Sequence, residues 1–316
     1  MKAKPSGSSG RSGENLWRLV TEEAAWSRRD SMGSAIFDGK MWILGGYTPE
    51  RVNDVWYSSD GVEWRRVIDE APWIGRNLPC TVVYDGKIWM MGGGTRLKPG
   101  VHVSCRDVWY SSDGRIWRLA TDDPPWGPRG AATALVYEGR IWMMGGFNAA
   151  DYTHNCEVWT SRDGRSWELV TDKAEWGARA MHTSVVFDDK MWVIGGGVYN
   201  EAYPSNTVID YNDVWCSSDG VEWCRVTESA DWTARRFHCS VVYRDKIWVI
   251  AGYHYGNRND VWCSSDGRIW HEVEGTRWPR RHAPVCLVYK DKLWLLGGFG
   301  DILYNDVWAY EEPRGR

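Results

Sequence analysis

No run of 18 apolar residues occurs anywhere in the 316-residue chain, so nothing in it reads as a membrane-spanning helix. The opening stretch, Met1-Lys2-Ala3-Lys4-Pro5 followed by Gly- and Ser-rich sequence to Gly13, has no apolar core, so no secretory signal is expected there. Residues 1–14 are expected to form a disordered tail, because they have too little apolar surface to bury. Basic residues are not in surplus: 38 Lys and Arg face 42 Asp and Glu, a net charge of −4, which argues against a nucleic-acid partner. The eight cysteines never adopt Cys-x-x-Cys spacing. They read as small buried hydrophobes of a cytoplasmic, reducing setting, with no metal and no cofactor expected. Cys105 and Cys156, beside loops, are the thiols expected to be most exposed. Helix-length runs with a period near 3.6 are absent too.

Tryptophan, by contrast, is abundant and regular. Its 24 copies fill four positions, six times each. One set is Trp26, Trp73, Trp126, Trp176, Trp232 and Trp278, and a second follows each of these by 16 residues, from Trp42 to Trp294. A third set is Trp56, Trp109, Trp159, Trp215, Trp262 and Trp308. Five of these are followed after 8 residues by a fourth, Trp64, Trp117, Trp167, Trp223 and Trp270. The sixth member of that last set is missing at the C-terminus and is supplied near the N-terminus, by Trp17. Fixed-period repetition means a repeat architecture. The displaced member means that the array closes into a ring.

Each unit holds four short β-branched and aromatic runs bounded by Gly, Asp and Ser. In the fourth these are the sequences around Val185, Trp192, Trp215 and Val226, with hairpin turns at Asp188-Asp189 and Asp219-Gly220. Four antiparallel strands repeated six times make a six-bladed β-propeller, all-β, with units starting near residues 26, 73, 126, 176, 232 and 278. The segment Asn15–Thr21 has the sequence of a fourth strand and should complete the last blade, giving one propeller over residues 15–316. A fixed place in every blade makes the tryptophans core, not sugar-stacking platforms.

The double glycines (Gly45-Gly46, Gly92-Gly93, Gly145-Gly146, Gly195-Gly196, Gly297-Gly298, with Ala251-Gly252 in the fifth unit), the Arg before each first strand and the fourth-strand Trp resemble the Kelch repeat. Turns such as Ser58-Ser59-Asp60-Gly61-Val62-Glu63-Trp64 resemble a shortened Asp-box, a structural turn found in many propellers. The resemblance implies the propeller of the galactose oxidase-like superfamily. It implies no metal: the Glu/Asp/His ligand run of iron-using plant specifier proteins is missing, and the copper site of galactose oxidase has no counterpart to carry over.

Function should lie where the repeats differ. First-to-second Trp spacing is always 16, and third-to-fourth always 8, whereas second-to-third is 14, 20, 17, 23, 14 and 14. The variable loops therefore fall on one face, the usual place for binding. An Arg stands three residues after each opening Trp: Arg29, Arg76, Arg129, Arg179, Arg235 and Arg281. These six could form a cationic funnel for carboxylate or phosphate, as the arginines of Kelch ubiquitin-ligase adaptors grip acidic peptides. Alternatively, each pairs with the acid two residues before the third Trp (Asp54, Asp107, Glu157, Asp213, Asp260, Asp306). Tyr199, Glu201 and His254 on the variable loops, and His282 beside Arg281, complete the candidate site, while His182 and His238 are expected to be satisfied strand residues.

The expected function is a monomeric, soluble Kelch propeller binding a protein partner or an anionic small ligand on this face. The alternative is an enzyme. Bacterial sialic-acid mutarotases resemble a stand-alone Kelch propeller, and sugar-ring opening needs a carboxylate anchor such as Arg179 or Arg235 and one acid–base group among Glu201, His254 and His282.

Overall fold

The computed structural model describes residues 16–199 and 208–312. Six four-stranded antiparallel sheets form a six-bladed propeller. In the fourth blade Thr183–Phe187 is innermost, followed outward by Lys190–Tyr199, Val208–Ser217 and Cys224–Thr227. The sixth blade takes Val285–Tyr289, Lys292–Phe299 and Leu303–Tyr310 from the C-terminal end, and Trp17–Thr21 from the N-terminal end. Trp17 lies opposite Tyr310, and Leu19 opposite Trp308, so the two ends of the chain are hydrogen-bonded into one sheet. The tail expected over residues 1–14 falls outside the described residues.

The tryptophan sets have separate jobs. Each first-set ring meets a fourth-set ring edge to face, at 5.8–6.0 Å, from Trp26–Trp64 to Trp232–Trp270. In the sixth blade the partner of Trp278 is Trp17, at 5.8 Å and in the same geometry. Five second-set rings pack on the Asp-box turn of the neighbouring blade, and the sixth, Trp248, packs on Tyr310 at 5.2 Å. A Cβ built on Gly114, whose φ is +72°, would come within 2.2 Å of the Trp42 indole, so that turn needs glycine twice over. Trp42 also donates its indole N–H to the Phe37 carbonyl at 2.9 Å, which lets a ring with a polar edge stay buried.

The inner strands surround the axis, and the residue two before each of them closes the loop-face end. Ser31, Leu78, Ala131, Met181, Phe237 and Ala283 all have φ between +47° and +57°, sparsely populated for residues with a side chain. Each donates its N–H to the equivalent carbonyl of the preceding blade, at 2.8–3.2 Å, and Ser31 to Ala283 completes the cycle. Six backbone hydrogen bonds, one per blade, tie the ring shut and satisfy groups that would otherwise be orphaned near the axis. No helix of the described residues is long and apolar enough to cross a membrane.

Candidate ligand-binding site

The six repeat arginines are buried within the blades. Their residues are 0–3% exposed. Each guanidinium meets its own blade's acid at 2.5–2.7 Å. It also donates to a carbonyl 16 residues on, from Gly45 to Gly297, at 2.8–3.3 Å. The acid in turn accepts the third-set indole N–H at 2.7–2.8 Å. Burial opposes ionisation of Asp107 and Asp260, but hydrogen bonds from Arg76 and Arg235 outweigh it and hold both carboxyls below the usual range. The expected funnel of Arg29, Arg76, Arg129, Arg179, Arg235 and Arg281 is thus a set of internal clamps, because a carboxylate ion-paired to each buried arginine claims its charge.

One residue further along the chain the pattern changes. The slot after the repeat arginine holds Asp30, Asn77, Gly130, Ala180, Arg236 and His282, different in every blade. Each pairs by its backbone with the residue after the double glycine: Tyr47, Gly94, Phe147, Gly197, Tyr253 and Phe299. These two rings frame the mouth of the propeller on the loop face. Beneath them lies a small axial cavity of about 130 Å³, lined in part by Leu78, Met181, His182, Phe237 and His238. Beside it opens a hollow of about 200 Å³, with Leu78, Met181 and Phe237 toward the axis and Phe147, Tyr152 and Tyr199 around them. Arg51 and His102 lie at its edge.

Charge is distributed around that apolar hollow in two groups. On one side Arg51 lies over the Tyr47 ring at 5.2 Å, with Nη2 3.2 Å from His102 Nδ1. Asp30, almost fully buried, has its carboxyl pushed up to about 7 by burial, which the Ser31 hydrogen bond and the Arg51 charge only partly offset. On the other side Arg236 is ion-paired to Asp210 at 2.7 Å and held between the Tyr199 and Tyr253 rings at 5.2 and 5.1 Å. The second oxygen of Asp210 meets His254 Nδ1 at 2.8 Å. His282 Nδ1 is 2.7 Å from Asn257 Oδ1, and burial and then Arg236 bring its pKa down to about 4, so the ring is neutral near pH 7. Asp30 and His282 hold the same slot in consecutive blades, and the residues after them, Ser31 and Ala283, are hydrogen-bonded at 3.0 Å.

The Nε–H groups of Arg51, Arg236 and Arg258 are buried without a hydrogen-bond partner among the described residues. A buried orphan donor carries a desolvation cost that an incoming acceptor would remove. Tyr199 lines the wall of the hollow, and His254 and His282 lie at the mouth. Glu201 lies outside the described residues. Asp30, Arg51, Asn77, Asp210 and Asn257 were missed. The slot after the repeat arginine, different in all six units, was the available signal for Asp30 and Asn77.

Cys105 is buried, against expectation, because the strand pair over Gly94–Lys98 and Val101–Ser104 returns the chain to the blade just before it. Cys224 is the exposed thiol. Among the described residues no three His, Cys, Asp or Glu come together as a metal would require.

No family model matches the chain, and no curated protein matches it. Solved structures do. That of YjhT superposes with a TM-score of 0.70 at 16% identity, covering 91% of this chain and 95% of that one. At that identity the likeness establishes the fold and leaves chemistry to the site itself.

Proposed function

We propose that the loop-face hollow binds a small molecule with an acidic group and an apolar or ring-shaped body. The observation that carries this is the buried Nε–H of Arg51, without a hydrogen-bond partner among the described residues, on the wall of an apolar hollow. An anion would satisfy both the Arg51 donor and its charge, while Leu78, Met181 and Phe237 would take the apolar part. Concavity favours a small ligand over a protein partner. Kinship with the Kelch superfamily is part of this reading and rests on the repeated glycine pair and arginine. So is a monomeric, cytoplasmic protein without nucleic-acid or membrane partners, supported by the net charge and by eight unpaired thiols.

Isothermal titration of sugar acids and aryl carboxylates is the test. Binding should weaken with salt and be lost in Arg51→Gln. Lack of binding by every carboxylate, or undiminished affinity in that variant, would sink the reading.

Asp30 favours a second reading, as an enzyme. A carboxyl titrating at about 7 is poised to give or take a proton near neutrality, and a neutral His282 stands in the next blade's slot. Opening and reclosing a sugar-acid ring needs that kind of pair. Exchange spectroscopy on the anomers of a sialic acid would show accelerated interconversion, abolished in Asp30→Asn. Rates equal to the uncatalysed reaction would leave a binding protein.

A further inference from the structure

Far from the mouth, a second departure from the repeat occurs at the outer edge of the fourth blade. Where the third and fourth strands of a blade pair, one register position sets Tyr57 opposite Arg65, Tyr110 opposite Arg118, Thr160 opposite Glu168 and Cys263 opposite His271. The sixth blade sets Ala309 opposite Arg18. Only the fourth blade places two thiols there, Cys216 opposite Cys224. Directly opposed residues of an antiparallel pair project to the same side of the sheet, with Cα atoms about 4.5–5.5 Å apart. That lies inside the roughly 4.4–6.8 Å that a disulfide spans.

Access is right as well. Cys224 is exposed and Cys216 partly so, and both line an open surface hollow of about 290 Å³ with Lys190, Asp219, Glu222 and Trp223. Of the other neighbouring pair, Cys239 donates its thiol to the Pro284 carbonyl at 3.0 Å, and burial pushes the Cys286 thiol well up. That pair is also partly exposed, but its two thiols sit on the inner strands of two different blades, so a bond between them would not close one strand pair.

We propose that Cys216 and Cys224 are a reversible thiol–disulfide exchange site whose co-reactant is a small organic disulfide of the glutathione type. The exposed Cys224 reacts first. Its thiol gives a proton to water, and the sulfur attacks one sulfur of the co-reactant. The co-reactant's S–S bond breaks, one thiolate leaves and is protonated, and a mixed disulfide remains on Cys224. Cys216, whose thiol is held up mainly by burial, reacts second. It loses its proton to water and attacks the Cys224 sulfur across the strand pair, expelling the second thiolate, which is protonated in turn. Two protein thiols are oxidised, and one small disulfide is reduced to two thiols. The product staples the edge strand Cys224–Thr227 to its neighbour through the short turn between them. A reducing compartment would reopen it, so the bond is a transient one.

The test is peptide mass spectrometry on the folded, full-length chain after incubation with oxidised glutathione and quenching with an alkylating agent. Expected are a cross-linked peptide joining Cys216 to Cys224, and two fewer alkylatable thiols. In Cys216→Ser a glutathione adduct should persist on Cys224, with an unchanged melt confirming the fold. A stable adduct on Cys224 in the parent beside a free Cys216, a cross-link between Cys239 and Cys286 instead, or no loss of thiols would each overturn the proposal.

Discussion

Two rings of side chains stand one residue apart in this molecule and behave in opposite ways. Arg29, Arg76, Arg129, Arg179, Arg235 and Arg281 are the same residue in all six blades, buried, and each clamped to an acid of its own blade. Asp30, Asn77, Gly130, Ala180, Arg236 and His282, the next residue in each unit, share no identity and frame the mouth. Six blades pose the same packing problem and reach the same solution, so identity across equivalent positions marks what holds the ring. A ligand lying across the axis has no sixfold symmetry. On the proposed reading, divergence at equivalent positions facing it marks where the ring meets that ligand.

The largest effect should come from breaking the first ring. Arg235→Ala with Arg281→Ala strands the Asp260 and Asp306 carboxylates and removes the donors to the Ala251 and Gly297 carbonyls. Breaking one buried pair from one side costs about 3–5 kcal/mol. The double variant should therefore unfold at much lower denaturant, measured by urea titration. A loss under about 1 kcal/mol would mean the clamps are replaceable by water.

Trp17→Ala tests closure of the ring in the same currency. It removes the edge-to-face contact with Trp278 and the contact with Tyr310, and should cost about 3–5 kcal/mol as a buried aromatic. Deleting residues 1–12 should leave the urea midpoint where it was, since the N-terminal strand begins at Trp17.

Substitution in the second ring should act with the opposite sign. Burial raises the Asp30 carboxyl from 3.8 to about 7, so the folded state holds that proton more tightly than the unfolded state. Its contribution is then greatest below pH 4 and is lost as the pH rises through about 7. Above that, ionising the buried group costs roughly 2–4 kcal/mol. Asp30→Asn should therefore be more stable than the parent at pH 8 and indistinguishable from it near pH 4, by urea titration at both. Equal stability at both pH values would place the carboxyl in its ordinary range.

Smallest in stability, and largest in function, is Arg51→Gln. Arg51 is only half-buried and has no ion pair among those formed by the described residues, so its loss should shift stability by less than about 0.5 kcal/mol. Carboxylate binding should disappear.

What could be read from sequence follows the same division. The blades were legible because packing repeats: Trp17, as the displaced sixth member of its set, announced the outer strand of the last blade, and the acid two residues before Trp308 announced the partner of Arg281. The fold needs these residues six times, so a single chain displays them six times. The mouth was only partly legible. Tyr199 and His254 could be picked out by loop position and His282 by its place after Arg281, but Arg51 lies in the first blade, whose loop is short, and reaches the hollow from within the strand Glu50–Ser58. Asp210 joins Arg236 and His254 across 26 and 44 residues of chain. Convergence of that kind leaves no local spacing, because the blades bring the residues together and the sequence between them does not. The arginines show the converse risk. Their regularity drew attention as a ligand funnel, although regularity was the mark of scaffold.

The most direct measurement sets the two rings side by side: urea midpoint and carboxylate affinity on Arg281→Ala and Arg51→Gln, prepared and assayed together. The account predicts that Arg281→Ala loses stability and, while folded, keeps its affinity, whereas Arg51→Gln keeps its stability and loses its affinity. If Arg281→Ala abolishes binding with its midpoint intact, or Arg51→Gln unfolds the chain, the division between clamp and mouth is wrong.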